Sequence, residues 1–268
     1  MVLRAKEYFV DEHSIVREIC GKSDTILFIF AGASAEFALN KAVDWLYFTG
    51  RLPADPIGRL FSTISYAKKI VFSEKQTALY TIDAMNKIHA HVESTRGTKI
   101  PDWAYRDVLC MLIDYSIRAY EILERNLNKS EREEVLNVFT RLGRRMGLKD
   151  LPENFEEFVQ KRHSHLTHDL QYSAVTKDLF LQYKKQLGPV RDKILREVQT
   201  LIVPDHVRNL LGFRRRSFLM PLLLVVYKAS KRIHADWLLK SLILPSKYKR
   251  EIMALDVKRN ARVGQVAK

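Results

Sequence analysis

Glycine and proline are too sparse in this sequence for a fold with many tight turns. Only ten glycines and eight prolines occur in 268 residues. No segment of useful length alternates strictly between apolar and polar residues, as a half-buried strand would, and no internal repeat is present. We therefore predict an all-α fold, organised as a single multi-helix domain over residues 1–268.

Apolar residues at helical spacing predict where the helices lie. Residues 25–29 form a short apolar run, and Asp55 and Pro56 suit the cap and first position of a helix, because the Asp carboxylate accepts hydrogen bonds from free N–H groups. The expected helices span about residues 1–20, 33–50, 56–73, 74–94, 101–126 and 129–147, with another after residue 151. The remainder, broken by Gly188-Pro189, is expected to form shorter helices.

The cysteines and the N-terminal residues indicate in which cellular compartment the protein is expected. Cys20 and Cys110 lie in apolar contexts, and no Cys-x-x-Cys occurs, so we expect two reduced core thiols. The first residues lack the apolar core of a signal peptide, and no run of about 20 uncharged apolar residues occurs. We expect a cytoplasmic protein, with peripheral membrane contact as the alternative raised by its charge distribution.

The predicted helix 56–73 carries a polar stripe beside its apolar residues. At about 100° per residue, one narrow face presents Arg59, Ser62, Thr63, Tyr66 and Ile70. A buried arginine is costly unless it is paired, so a buried stripe would need an anionic or hydrogen-bonding partner. The alternative is a partly exposed polar seam between helices.

His89 continues an apolar stripe on the predicted helix 74–94. The stripe consists of Ala78, Ile82, Met85 and Val92. An interior imidazole among aliphatic side chains suits a haem iron, because the neutral ring donates to the metal and apolar walls bury the porphyrin. A hydrogen-bonded core histidine is the alternative, and His91, on a different face, is the less favoured candidate.

Several motifs, taken in order, carry a family resemblance. They are Asp55-Pro-Ile-Gly-Arg59-Leu-Phe-Ser-Thr63, Ile88-His89-Ala-His-Val92, Met146-Gly-Leu-Lys-Asp-Leu-Pro152 and Ile202-Val-Pro204-Asp-His-Val-Arg208-Asn-Leu-Leu-Gly212. Their order and spacing resemble the MpaB-type oxygenase and rubber oxygenase (latex-clearing protein) family over about residues 25–250.

The resemblance implies a helical fold related to the globins, with a pocket for haem b. His89 would be the axial iron ligand. Arg59 would pair with a haem propionate or polarise bound oxygen, and the Thr63 hydroxyl would hydrogen-bond an iron ligand. The implied reaction is the oxidation of a small apolar substrate by dioxygen.

The sequence also departs from the family pattern. The lysine that rubber oxygenases carry just before the threonine is Ser62 here, so coordination of the iron by a distal lysine is lost. Asp44 is only a loose counterpart of the upstream acidic residue proposed as a base. Residues 103–114 replace the pattern that many members have after the histidine helix. Rubber cleavage is therefore not expected, whereas haem binding is.

A second group of histidines is more closely spaced in the sequence but is a weaker candidate for a metal site. His163, His165 and His168 lie close to Asp169. On a helix, only His165 and His168 share a face, and two nitrogen ligands are fewer than zinc sites usually have. We interpret the group as part of a solvated face.

The basic charge is concentrated at the C-terminal end. Residues 201–268 contribute +11 of the net +14. Arg214, Arg215 and Arg216 precede an apolar run at 217–227, and Lys228, Lys231 and Arg232 follow it. The run suits either a buried helix with solvated ends or an apolar segment at an anionic membrane surface.

Nucleic acid is not an expected partner, because no reading motif accompanies the charge. The leading prediction is a haem-dependent oxygenase or oxidase. The alternative is a non-catalytic helical protein that binds anionic membranes through its basic C-terminal quarter.

Overall fold

The computed structural model describes residues 6–217 and 219–232, and the described chain is all-α. The helices are α1 (Ile15–Cys20), α2 (Ser23–Phe37), α3 (Asp44–Tyr47), α4 (Arg51–Ala54), α5 (Pro56–Phe72), α6 (Lys75–Arg96), α7 (Asp102–Leu123), α8 (Lys129–Arg145), α9 (Phe155–His168), α10 (Ala174–Ile202), α11 (Asp205–Leu210) and α12 (Met220–Arg232). The predicted fold class is confirmed. Because residues 233–268 lie outside the described part, the extent of a single domain to residue 268 stays a prediction.

Two of the predicted helix starts are confirmed by side-chain caps. The Asp55 carboxylate accepts the Gly58 N–H at 2.9 Å, and Pro56 takes the first position of α5. Asn128 and Glu131 form a capping box at the start of α8. The break expected at Gly188-Pro189 is a kink within α10, where Gly188 has φ 75°.

Two predicted helices are wrong in their bounds. Within the described part of residues 1–20 only Ile15–Cys20 is helical, because Glu7 and Tyr8 are drawn into backbone pairing with the segment before α6. The expected helix 33–50 is replaced by α2, which absorbs the apolar run 25–29 and ends at Phe37. The chain leaves the helix there because residues 39–41 pair with 169–171, with Lys41 N donating to Asp169 O at 2.9 Å.

The centre of the molecule is the packing of α2 against α7. α10 packs on α2 as well, α8 and α9 pack on α7, and α5 and α6 form a helical hairpin. One large apolar core joins these helices, and its fully buried members include Tyr115, Tyr120, Ile82, Ile113, Leu136 and Leu179. A smaller apolar cluster, formed by Ile26, Phe30, Ile57 and Ile64, lies between α2 and α5.

The C-terminal apolar run does not form a fully buried helix. Met220 is buried at the start of α12, but Leu222 and Val225 are each 67% exposed. The Tyr227 hydroxyl donates to Asp24 on α2 at 2.7 Å, which attaches one side of α12 to the core. Among the described helices, none combines the length and the apolar character needed to cross a bilayer.

Gly32 permits the close approach of α2 and α7. A Cβ atom at this position would overlap the ring of the fully buried Tyr115. We expect Gly32→Ala to destabilise the protein by about 1–3 kcal/mol, as overpacking in a dense core does. Denaturant unfolding followed by circular dichroism measures this change, and an unaltered unfolding midpoint would show that the two helices do not pack so tightly.

Candidate functional site

The hairpin of α5 and α6 brings Arg59 level with His89. The two helices pack against each other and are joined by a short turn at residues 73 and 74. Both residues lie about 20 Å from this turn along their helix axes, at 1.5 Å per residue. The Arg59 charge is close enough to lower the pKa of His89. Two of the three predicted site residues are thus brought together.

Thr63 is not brought to the same point. It lies about one helical turn nearer the hairpin turn, on the exposed side of α5, and its hydroxyl donates to the Arg59 carbonyl oxygen at 3.2 Å. The Ser62 hydroxyl donates to the same oxygen at 2.8 Å. Since Arg59, Ser62 and Tyr66 are only half-buried, the polar stripe is the partly exposed seam between helices.

The side chain of His89, on α6, lies against the first turn of α7. Its ring centroid is 5.1 Å from that of Tyr105, with the rings tilted by 55°. The Tyr105 hydroxyl donates to Glu93 Oε1 at 3.1 Å, and Glu93 also accepts the Ile100 N–H at 3.0 Å. The Nδ1 atom of His89 is buried and has no hydrogen-bond partner in the described part of the chain.

The surroundings of His89 favour the neutral imidazole. Burial lowers the pKa of His89 from its ordinary value, and the positive charge of Arg59 lowers it further, against the opposing effect of Glu93. A neutral ring keeps a lone pair that it can donate to a metal ion. Arg59 itself pairs with no carboxylate among the described residues.

Sequence reasoning missed Glu93 and Tyr105. Glu93 lies one turn after His89 on the same helix, and this i, i+4 spacing could have identified it. Tyr105 comes from the next helix, so only the tertiary packing reveals it. Asp44, the loose counterpart of the family's acidic residue, is half-exposed and forms a salt bridge with Arg96 at 2.7 Å.

A second cluster of polar side chains is largely buried where α2, α7 and α9 meet. Arg162 contacts both carboxylate oxygens of Glu36, through Nη1 at 2.5 Å and Nη2 at 2.6 Å. Its Nε donates to Asp114 Oδ2 at 3.0 Å, and the Tyr115 hydroxyl donates to Glu36 at 2.9 Å. Glu36 has no exposed surface.

His165 extends this cluster toward the surface. Its Nε2 lies 3.1 Å from Glu36 Oε1, and its Nδ1 lies 2.7 Å from Asp107 Oδ2 and 3.6 Å from Asp169 Oδ2. The Nδ1–Asp107 contact is close but lacks the alignment of a hydrogen bond. Asp107, His165 and Asp169 could together hold a metal ion, since their ligand atoms lie within 4.8 Å of one another.

Opposing effects set the protonation of the buried cluster. Burial alone would raise the pKa of Glu36, but Arg162 and His165 outweigh it and hold that pKa at about 2. Burial would lower the pKa of His165, but Asp107 and Glu36 raise it to about 9. Burial raises the pKa of Asp107 despite its contact with His165.

The prediction that the histidines of α9 belong to a solvated face is wrong for His165. Its side chain is 3% exposed, whereas His163 and His168 are exposed as expected. Phe158, Arg162 and His165 follow i, i+4, i+7 spacing and form the inward face of α9. This spacing was visible in the sequence, but an inward-facing arginine has no evident partner until the fold is known.

One protein-family model matches the chain, over residues 24–227. It describes the catalytic domain of the ER-bound oxygenases mpaB/B' and the rubber oxygenases. The chain belongs to this family. No curated protein and no solved structure is significantly similar to it.

Membership of the mpaB/rubber oxygenase family confirms the resemblance found in the motifs. It supports an oxygenase-type function, which implies a substrate and dioxygen, and it suggests a metal or haem cofactor. The matched region contains Arg59, Thr63 and His89 as well as the whole buried cluster. It ends at residue 227, short of the residue 250 predicted from the motifs.

Removing the charge of Glu36 should destabilise this oxygenase domain strongly. In Glu36→Gln the Arg162 guanidinium would stay buried without its main counter-charge, and breaking a buried pair in this way costs about 3–5 kcal/mol. Chemical denaturation measures the loss. The control is Asp83→Asn, which removes the exposed salt bridge to Arg145 and should have a far smaller effect. Equal effects would contradict the central role of Glu36.

Proposed function

We propose that this protein is a haem-dependent oxygenase or oxidase in which His89 is the axial ligand of haem b. The observation that carries the proposal is the buried Nδ1 atom of His89, which has no hydrogen-bond partner among the described residues. A buried polar atom without a partner is costly, so it calls for an explanation such as a bound group. Because the chain belongs to an oxygenase family, we attribute the unpaired Nδ1 of His89 to the binding of a metal-containing cofactor.

The surroundings of His89 fit an iron porphyrin. The lowered pKa keeps the imidazole neutral, which is the form that ligates iron. The Tyr105 ring packs against the imidazole, and the Tyr105 hydroxyl is tied to Glu93. These contacts would limit rotation of the ring and so hold it in an orientation suited to one ligand position.

Arg59 fits the carboxylates that a haem carries. Its guanidinium lies near His89 and pairs with no carboxylate in the described chain, so a propionate would supply its missing counter-charge. Thr63 would contribute at the edge of the pocket, where its hydroxyl could leave the Arg59 carbonyl for a bound ligand. Arg59 and Thr63 are therefore the proposed catalytic and cofactor-binding partners of His89.

A bound haem would supply the oxygen chemistry, and the chain would supply the surroundings. The apolar cluster between α2 and α5, to which Phe61 also packs, lies behind the helix that carries Arg59. A packed apolar core behind this helix would keep water from the pocket, which suits an apolar substrate. The globin relationship and the haem pocket that the resemblance implies are part of this proposal.

The proposal does not extend to rubber cleavage. Ser62 replaces the lysine of the rubber oxygenases, and its hydroxyl bonds to the Arg59 carbonyl. The segment at residues 103–114 instead packs Tyr105 against His89 and directs Asp107 into the buried cluster. The substrate we propose is a small apolar molecule.

The test is the absorption spectrum of the full chain expressed with an adequate supply of haem. We expect a Soret band that is lost or strongly weakened in His89→Ala, because the iron loses its axial ligand. His91→Ala is the matched control, since His91 is exposed on the same helix, and it should keep the band.

Arg59→Gln tests the proposed pairing of Arg59 with a haem propionate. It should weaken haem affinity while leaving the position of the band unchanged, because the axial ligand remains. A colourless wild-type protein that takes up no added haemin would exclude the cofactor. A band that survives in His89→Ala would exclude this ligand.

We propose, as a second function, that α12 contacts an anionic membrane surface. The observation that favours it is the exposure of Leu222, Val225 and Val226 on one helix. Arg215, Arg216 and Lys228, near the two ends of this apolar stretch, are also exposed, as an interfacial helix requires. Should the protein bind no haem, this would be its leading function.

The structure sharpens the choice of residues for a membrane test. Arg214 contacts the buried Glu197 at 2.5 Å, so its substitution would also disturb the fold. Lys231 and Arg232, also predicted to take part, lie at the end of α12. Arg215 and Arg216 are the better choice.

Arg215→Glu with Arg216→Glu should reduce sedimentation with vesicles that contain phosphatidylserine, and wild-type binding should fall as salt rises. The control is Lys184→Glu with Lys185→Glu, an equal charge change at exposed positions of α10, which should bind as the wild type does. Equal losses in both variants would indicate attraction by overall charge alone.

A further inference from the structure

A group of three side chains away from His89 has the composition of a metal site. Asp107 belongs to α7, His165 to α9, and Asp169 is the residue directly after α9. Their ligand atoms lie within 4.8 Å of one another. For bonds of about 2.1 Å, the ligand atoms around a tetrahedral ion are about 3.4 Å apart. The 3.6 Å between His165 Nδ1 and Asp169 Oδ2 is close to this value, and Asp107 Oδ2, 2.7 Å from the same nitrogen, would move outward to admit an ion.

The hydrogen bond of His165 to Glu36 uses Nε2, which leaves Nδ1 to face the two aspartates. Its Nε2 lies 3.1 Å from Glu36 Oε1 in hydrogen-bonding geometry, so the Nε2 proton points at this carboxylate. Its Nδ1 faces Asp107 and Asp169 without an aligned hydrogen bond. Histidine ligands are commonly held in this way, with one nitrogen donating to a carboxylate and the other free to ligate.

Asp107 also has a buried oxygen that points into this group and forms no aligned hydrogen bond. Its side chain is 5% exposed, and Oδ2 makes no hydrogen bond in the described part of the chain. The His165 Nδ1 lies 2.7 Å from this oxygen. These two buried ligand atoms thus form a close ion pair without the alignment of a hydrogen bond, and a metal ion that replaced the Nδ1 proton would bind both.

The charges around the group leave two carboxylates to be balanced. Arg162 balances Glu36 at 2.5 Å, and Arg118 balances Asp114 at 2.8 Å. The remaining buried carboxylate is Asp107, which shares His165 with Asp169. An imidazole carries at most one positive charge, so it cannot balance two carboxylates.

The other nearby basic side chains already contact other carboxylates. Arg106 and Lys161 both contact the Asp150 carboxylate, at 2.6 Å each. Lys161 also contacts Glu157 at 3.3 Å. A divalent cation bound by a neutral imidazole would balance the two carboxylates that these pairs leave over.

We propose that Asp107, His165 and Asp169 bind a divalent transition-metal ion, such as Zn²⁺ or Mn²⁺, at a site separate from His89. One imidazole and two carboxylates are a ligand set that these ions accept. The Asp169 side chain is 30% exposed, which gives the ion a path from solvent. The bound ion would join α7 to the end of α9 and so stabilise their packing.

Glu36 would act as a positioning residue for this ion. It holds the His165 ring by its Nε2, and it is itself held by Arg162 and Tyr115. Loss of such an outer partner typically weakens metal binding 10–100-fold. The deep cluster would thereby be linked to a site near the surface.

The experiment is calorimetric titration of the chelator-treated, full-length protein with Zn²⁺ and separately with Mn²⁺. We expect saturable binding of one equivalent of at least one of the two ions. Asp169→Asn should weaken it at least tenfold. This change is nearly isosteric at a partly exposed position, and the backbone bond from Lys41 N to Asp169 O is kept.

Two matched variants exclude other sites. Asp150→Asn removes a neighbouring carboxylate that is not a ligand and should bind the ion as the wild type does. His89→Ala should also bind normally, which separates this site from the proposed haem site. Binding lost in His89→Ala and kept in Asp169→Asn would overturn the assignment, as would the absence of saturable binding of either ion.

Thermal unfolding supplies a readout that does not depend on the calorimetric signal. The metal should raise the melting temperature of the wild type and of Asp150→Asn, because a ligand that binds only the folded state stabilises it. It should not raise that of Asp169→Asn. Equal shifts in all three proteins would mean that the ion binds elsewhere, and the proposed site would be rejected.

Discussion

The contact between Glu36 and Arg162 is the interaction on which the arrangement of the helices most depends. Removing two charges from water is expensive, and the cost is offset only where the geometry is good and the remaining polar atoms are satisfied. Here both Glu36 oxygens contact the guanidinium, Tyr115 adds a third bond, and Asp114 takes the Arg162 Nε. We infer that the cluster selects one packing of α2, α7 and α9, because a shift of one helix by a turn would leave buried charges unpaired.

The two candidate sites use histidine in opposite electrostatic settings. His89 is half-buried beside a cation, and its pKa is lowered, so the ring is neutral and can donate electrons. His165 is buried among carboxylates, which raise its pKa. Motif order predicts the first residue from its place after Arg59 and Thr63. The second is distinguished only by its surroundings, because its partners Glu36 and Asp107 lie far away in the sequence.

The sequence predicted the features that depend on neighbouring residues and missed those that depend on distant ones. The all-α class, the Asp55 cap and the closeness of Arg59 to His89 follow from composition, capping and motif order. The end of α2 at Phe37 does not, because it depends on backbone pairing of residues 39–41 with 169–171. His165 was misplaced for the same reason, since the carboxylate that it contacts on α2 is 129 positions away. Local patterns indicate which residues form helices, but not which charged side chains will find a buried partner.

The first two turns of α7 join the two sites. Tyr105 packs its ring against His89, and Asp107, two residues later, points to the His165 cluster. Two residues correspond to about 200° on a helix, so these side chains leave α7 on nearly opposite sides. The position of α7 is in turn fixed by its close approach to Gly32 and by the bond from Tyr115 to Glu36. A rotation of α7 about its axis would therefore withdraw Tyr105 from His89 and Asp107 from His165 together, which ties the geometry of the proposed haem ligand to the integrity of the buried charges.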